Sequence, residues 1–275
     1  MLVSMKETMA KAKREGYCIP GVAVENEIVV RAAIAAAEEK NSPIILISVP
    51  TANPDILYFG RIVGDLALRA KVPVSICQDH GATFEQAMMA IRAGFSDVMV
   101  DRSSLPFEEN AAQVKEIVKV AHAVGVGVEA ELGHVGVASN YAEDAADDTL
   151  TRPEEALRYI EETGCDTLAV AVGTAHGAYP KGFEPHIRFD LLKELNEKLP
   201  VPLVLHGGSG TGDENLRKAA KLGACKLNIS NDLKRAIVNK VGELSNVYRL
   251  WPTVFEAYKA ETIHYIDVLG SADKA

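Results

Sequence analysis

Asp79 and His80 stand side by side at the end of the apolar run Val74–Cys77, and His176 and His206 follow two further runs of the same kind. Neutral imidazole nitrogens are good zinc ligands, and three of them meeting at one point would hold a catalytic ion with a fourth position open to substrate. A carboxylate beside such an ion is placed to move protons. Each histidine alone is more often structural than ligating; only their joint placement at strand ends argues for a metal.

His206 also opens the stretch HGGSGTGDEN, residues 206–215. Glycines directly after a strand let the backbone approach a ligand, and a helix starting at Gly212 or Asp213 turns its first amides towards an anion. This is the chemistry of a phosphate cradle, with Gly207, Gly208 and Ser209 at its centre. A second glycine stretch, Gly173–Gly177, with Lys181 four residues on, can close the same phosphate from the other side.

These groups converge only if the chain folds to bring strand ends together. Short apolar or β-branched runs recur near residues 17–24, 43–49, 73–77, 97–100, 126–130, 166–171, 202–205 and 225–229. Most are separated by amphipathic stretches such as Ile28–Lys40 and Glu108–Val124. Eight strand–helix units in one chain predict an α/β fold of the (β/α)8 barrel type, a single domain over residues 1–275, with a doubly wound open sheet as the alternative. Polar groups then gather at one face: Asp79 and His80 after strand three, Asp101 after strand four, Glu129 and Glu131 after strand five, His176 and Gly177 after strand six, His206 after strand seven, and Asn228, Ser230 and Asn231 at strand eight. The long acidic stretch Gly133–Arg152 reads as a loop over that face. The tail from Gly242 to Ala275 reads as extra helix, available for packing against a partner subunit.

With 48% apolar residues in a chain of 275, a large core is available. The net charge of −9 is spread without a basic face, which argues against nucleic acid and anionic membrane as partners. The longest apolar run, Pro43–Pro50, is too short to span a bilayer, and the first residues are a mixed polar helix instead of a signal peptide. A cytoplasmic location is expected. Cys18, Cys77, Cys165 and Cys225 lack paired metal spacing and read as buried free thiols. His122, His186 and His264 read as structural or solvated, whereas His134, at the root of the long loop, is a candidate substrate contact.

The motifs DHG, PFEEN, EAELG, LAVAVGTAHG, LVLHGGSG and KLNISNDL, in this order, resemble those of the class II, metal-dependent fructose-bisphosphate and tagatose-bisphosphate aldolases. The resemblance runs from the Gly21–Asn26 segment to Gly270-Ser271. It implies a (β/α)8 barrel, a zinc ion, homodimers or homotetramers, and a place in carbohydrate metabolism such as glycolysis. The implied reaction is cleavage of a ketose phosphate to dihydroxyacetone phosphate and an aldehyde. It also implies His80, His176 and His206 as zinc ligands, Asp79 as acid/base, and Asn228 as the residue contacting the ene-diolate. Gly177, Lys181, Gly207, Gly208 and Ser209 then form the phosphate site, with Asp101 and Glu131 near the metal as orienting, alternative or second-metal ligands. Glu143, with Asp144 close behind, is the candidate for exchanging the carbon proton of the ene-diolate.

The strand-eight motif departs from the family pattern. Ser230 and Asn231 stand where sugar and phosphate contacts are usual, Lys234 stands where an arginine for the distal phosphate is common, and Ala23 replaces an asparagine. These departures put fructose 1,6-bisphosphate itself in question as the substrate. Two other functions compete with an aldolase: a metal-dependent hydrolase on the same barrel, and a non-catalytic sugar-phosphate-binding subunit. Lys226 would be the nucleophile of a Schiff-base aldolase.

Overall fold

The computed structural model describes residues 1–136, 149–177, 179 and 185–275. Eight parallel strands close into a barrel in sequence order: β1 (Ile19–Ala23), β2 (Ile44–Ser48), β3 (Val74–Gly81), β4 (Asp97–Val100), β5 (Gly127–Leu132), β6 (Thr167–Val170), β7 (Leu203–Leu205) and β8 (Ala224–Ile229). Each of the eight expected runs is a strand. The open sheet is excluded by β8, which pairs with β1 from Ile19↔Lys226 to Val22↔Ile229.

Among the described residues the α-helices are α1 (Met5–Glu15), α2 (Glu27–Glu39), α3 (Ile56–Arg69), α4 (Phe84–Ala93), α5 (Phe107–Ala123), α6 (Pro153–Thr163), α7 (Phe189–Lys198), α8 (Asp213–Lys221), α9 (Asn231–Gly242) and α10 (Leu250–Leu269). Their ends follow local chemistry. Asn26 caps α2 by accepting from the Ile28 and Val29 amides, Thr83 caps α4 by accepting from Gln86, and Pro153 opens α6 where no amide donor is needed. None of the described helices is long and apolar enough to cross a membrane.

Alternation along the strands sorts the core into two layers. Val22, Leu46, Ile76, Val98, Val128, Leu168 and Leu227 face outward into the ring of helices. Ile19, Ile45, Ile47, Cys77, Met99, Ala169, Val204 and Cys225 fill the barrel, joined from below by Met5, Met9 and Ala12 of α1. So α1 plugs the end at which the strands begin, held by Asp97, whose carboxylate accepts from Ser4 Oγ at 2.7 Å and from the Met5 amide at 2.9 Å. All four cysteines are buried free thiols. The tail helix α10 packs on α2 and α9 of its own chain, burying Tyr258, Tyr265 and Ile266 while Trp251 stays exposed.

Candidate active site

Asp79 and His80 lie within β3, not beyond it. Neighbours in a regular strand face opposite sides, yet both line one cleft at the carboxyl end of the barrel. The pairing with β4 explains this: Gln78 pairs with Val98 and Gly81 with Val100, so three steps along β3 match two along β4. The extra residue is a bulge, and His80 takes it up with a φ of 49°, a region costly for a residue with a Cβ. Gly81 follows, where a Cβ would meet Met99 O at 2.9 Å.

Across the barrel, the Asn228 amide donates to Asp79 Oδ1 at 3.0 Å and Oδ2 at 3.2 Å. Gly21, register partner of Asn228, leaves room for it: a Cβ there would stand 2.7 Å from Asn228 Oδ1. Burial works against charge on Asp79, but His80, His206 and Lys226 outweigh it and hold the carboxyl below its ordinary range. Asp79 is therefore an anion at neutral pH, ready to accept a proton.

The three histidines meet. Ring centroids lie 4.7 Å apart for His80–His176 and His80–His206, and 5.4 Å for His176–His206. His80 Nδ1 is 3.0 Å from Asp101 Oδ2, and His206 Nε2 is 3.0 Å from Glu129 Oε1. A proton on each of these outer nitrogens is required for a hydrogen bond to a carboxylate, which leaves the inner nitrogens with lone pairs. His206 Nδ1 and His80 Nε2 then face one another across 3.0 Å. Two lone pairs at that distance repel unless a cation sits between them.

The surrounding electrostatics agree. Burial would lower the His80 pKa, but Asp79, the hydrogen bond to Asp101 and Glu131 raise it to about 9, so without a metal this ring carries the proton. Burial, and the charge on His80, push His176 down to about 4 and His206 well below the imidazole range. Glu131 Oε2 lies 3.7 Å from His206 Nδ1 and has no hydrogen-bond partner among the described residues. Burial and the Asp101 charge raise this carboxyl to about 8. His80, His176 and His206 have the donor chemistry for a divalent metal ion, with His80, Asp101 and Glu131 as an overlapping second group. Asp101 faces His80 as an orienting group and binds Ser103 with its other oxygen at 2.8 Å.

The cleft above them holds about 260 Å³. Its walls include Gly177 after β6, Gly207, Gly208 and Ser209 after β7, and Asn228, Ser230, Asn231 and Lys234 from β8 into α9. Backbone packs closely here: a Cβ on Gly207 would collide with Ala175 O, and one on Gly208 with Leu227. Of the cradle amides, that of Gly208 is spent on Asn228 O at 3.1 Å. Ser209 Oγ accepts from the amides of Ser230 and Asp232 at 3.2 and 3.3 Å, which leaves its hydroxyl proton free to donate. The loop is braced from behind by Asp232, which accepts from the Gly210 amide at 2.8 Å and from Tyr265 of α10 at 2.7 Å. As expected from the glycines, α8 starts at Asp213.

Lys181, Glu143 and Asp144 lie outside the described residues. His134 is exposed, its amide donating to Thr149 O at 2.9 Å. Lys226 does not line the cleft: it is fully buried with its ammonium 2.6 Å from Glu129 Oε2. Burial opposes its charge, but Glu129 holds its pKa above the ordinary lysine value, so it is a cation and no Schiff-base nucleophile. Sequence reasoning missed that Glu129 ties Lys226 to His206. The available signal was strand alternation, which sends Glu129 and Glu131 of β5 inward together. It also passed over Glu25, Ser48 and Val49, which wall the cleft where β1 and β2 end.

Fold and site together define a closed (β/α)8 barrel whose carboxyl-end face carries a histidine cluster with the donor chemistry for a metal ion. The profile of the family "Fructose-bisphosphate aldolase class-II" matches residues 3–274, and the chain belongs to that family. It is 40% identical to a fructose-bisphosphate aldolase of Thermus caldophilus, over 88% of this chain and 87% of that one. It is 38% identical to the D-tagatose-1,6-bisphosphate aldolase subunit GatY of Klebsiella oxytoca, over 86% and 83%. The crystal structure of the YdjI aldolase from Escherichia coli K12 matches with a TM-score of 0.90 at 34% identity, covering 100% of both chains. The protein is thus a class II aldolase, a carbon–carbon lyase of a family that uses a divalent metal ion and binds sugar phosphates.

Proposed function

We propose that this aldolase is zinc-dependent and reversibly cleaves a ketose phosphate into dihydroxyacetone phosphate and an aldehyde. The observation that carries the reading is the 3.0 Å approach of two inner histidine nitrogens whose outer nitrogens are already engaged by carboxylates. An all-imidazole donor set favours zinc over magnesium or calcium, which prefer oxygen. When bound, the metal supplies Lewis-acid chemistry that stabilises negative charge on the ketone half as the bond opens.

The chain's own groups do the rest. Asp79, anionic and 3.9 Å from His80 Nε2, takes the hydroxyl proton of the aldehyde half in cleavage and returns it in synthesis. Asn228 holds Asp79 in place and meets the ketone half. Gly177, Lys181, Gly207, Gly208, Ser209, Ser230 and Asn231 hold the phosphate, and Glu143 exchanges the carbon proton. The reading takes residues 1–275 as one domain acting in the cytoplasm as a homodimer or homotetramer.

The test is coupled detection of dihydroxyacetone phosphate from ketose 1-phosphates and 1,6-bisphosphates, with zinc and with chelator. Zinc-dependent release supports the reading; release that is insensitive to chelator, or reaction without dihydroxyacetone phosphate, overturns it.

A further inference from the structure

Glu25, two residues beyond β1, and Lys234, in the first turn of α9, both line the cleft and are paired with each other across its lip. Among the described lining residues Lys234 is the one lysine or arginine, and the carboxylates are Glu25 and Asp79. Strand order separates two halves of the cleft. The glycine-lined half lies over β6, β7 and β8, with Gly177, Gly207 and Ser209. The other half lies over β1 and β2, walled by Ile47, Ser48, Val49 and Ala52, and ends at Asp79 of β3.

Resting on the proposed aldolase reading, we infer that the Glu25–Lys234 pair makes this enzyme selective for ketoses phosphorylated only on the ketone half, and disfavours a second phosphate at the far end. A terminal phosphate dianion drawn to Lys234 would arrive against the Glu25 carboxylate, so the described residues of the lip offer it no net positive charge. Both side chains are about half exposed, at 48% and 41%, so the pair itself is weak. Its effect lies in the charge it cancels. A hydroxyl end is matched instead: each hydroxyl both donates and accepts, and the lip supplies an acceptor in Glu25 and donors in Lys234.

The experiment compares wild type and Glu25→Gln, each loaded with zinc. Cleavage is measured on a ketohexose 1-phosphate and the matching 1,6-bisphosphate, and binding on the uncleavable hexitol 1-phosphate and hexitol 1,6-bisphosphate. The wild type should cleave the monophosphate with the higher kcat/KM. Glu25→Gln should raise the bisphosphate-to-monophosphate ratio roughly tenfold or more in both kcat/KM and affinity. Dihydroxyacetone phosphate release led by the bisphosphate, or a ratio unmoved by Glu25→Gln, overturns the inference and leaves the aldolase standing. Failure of every substrate to release dihydroxyacetone phosphate overturns the aldolase reading itself, and the inference with it.

Discussion

His206 Nδ1 lies 3.0 Å from His80 Nε2, although 126 residues of chain separate them. Because Asp101 and Glu129 hold the outer nitrogens, the contact is stable only with a positive charge between the rings. Without metal that charge is a proton on His80, whose pKa stands at about 9. Zinc must displace it. At pH 7, well below the His80 value, zinc binding should therefore release at least about one proton per site, and apparent zinc affinity should weaken as pH falls. Calorimetry in buffers of different ionisation enthalpy measures this, and zinc binding without proton release at pH 7 would refute the assignment. His206→Ala should lose bound zinc by elemental analysis.

Asp79 stays anionic because neighbouring positive charge outweighs its burial. Asp79→Asn keeps the size and the hydrogen-bonding reach but not the basicity. It should retain zinc and lose cleavage by about 10²- to 10⁴-fold in kcat. Full activity in the zinc-loaded variant would remove Asp79 from proton transfer.

Gly21 is where the β1 backbone yields to the Asn228 side chain. Gly21→Ala places a methyl 2.7 Å from Asn228 Oδ1, so the amide must shift and its hold on Asp79 loosens. The expected result is a fall in kcat of roughly tenfold or more with zinc content unchanged. A crystal structure of the variant with Asn228 still on Asp79, together with wild-type kcat, would contradict this.

Lys226 and Glu129 form an ion pair with both side chains fully buried. Lys226→Met leaves a buried carboxylate without its cation, and the loss should be about 3–5 kcal/mol, read as a lower midpoint in chemical denaturation. Since Lys226 does not reach the cleft, borohydride added with substrate should trap no adduct on the wild-type enzyme. An adduct at Lys226 would reverse the assignment.

What the amino-acid order determined alone was the scaffold and the roster of polar groups. Strand and helix periodicity, glycine placement and caps are local properties, so eight runs separated by amphipathic helices were readable, and with them the strand ends that carry His80, His176, His206 and Asn228. The tertiary structure decided how those groups face one another. Asp79 and His80 share a cleft only because an extra residue in β3 slips against β4, and that bulge depends on a neighbouring strand. Glu129 finds Lys226 and His206, and Glu25 finds Lys234, across closures 97, 77 and 209 residues long, which no local pattern encodes. Of these long-range pairs, Glu25 and Lys234 bring opposite charges to the cleft wall, while Glu129 and Lys226 stay buried beneath it.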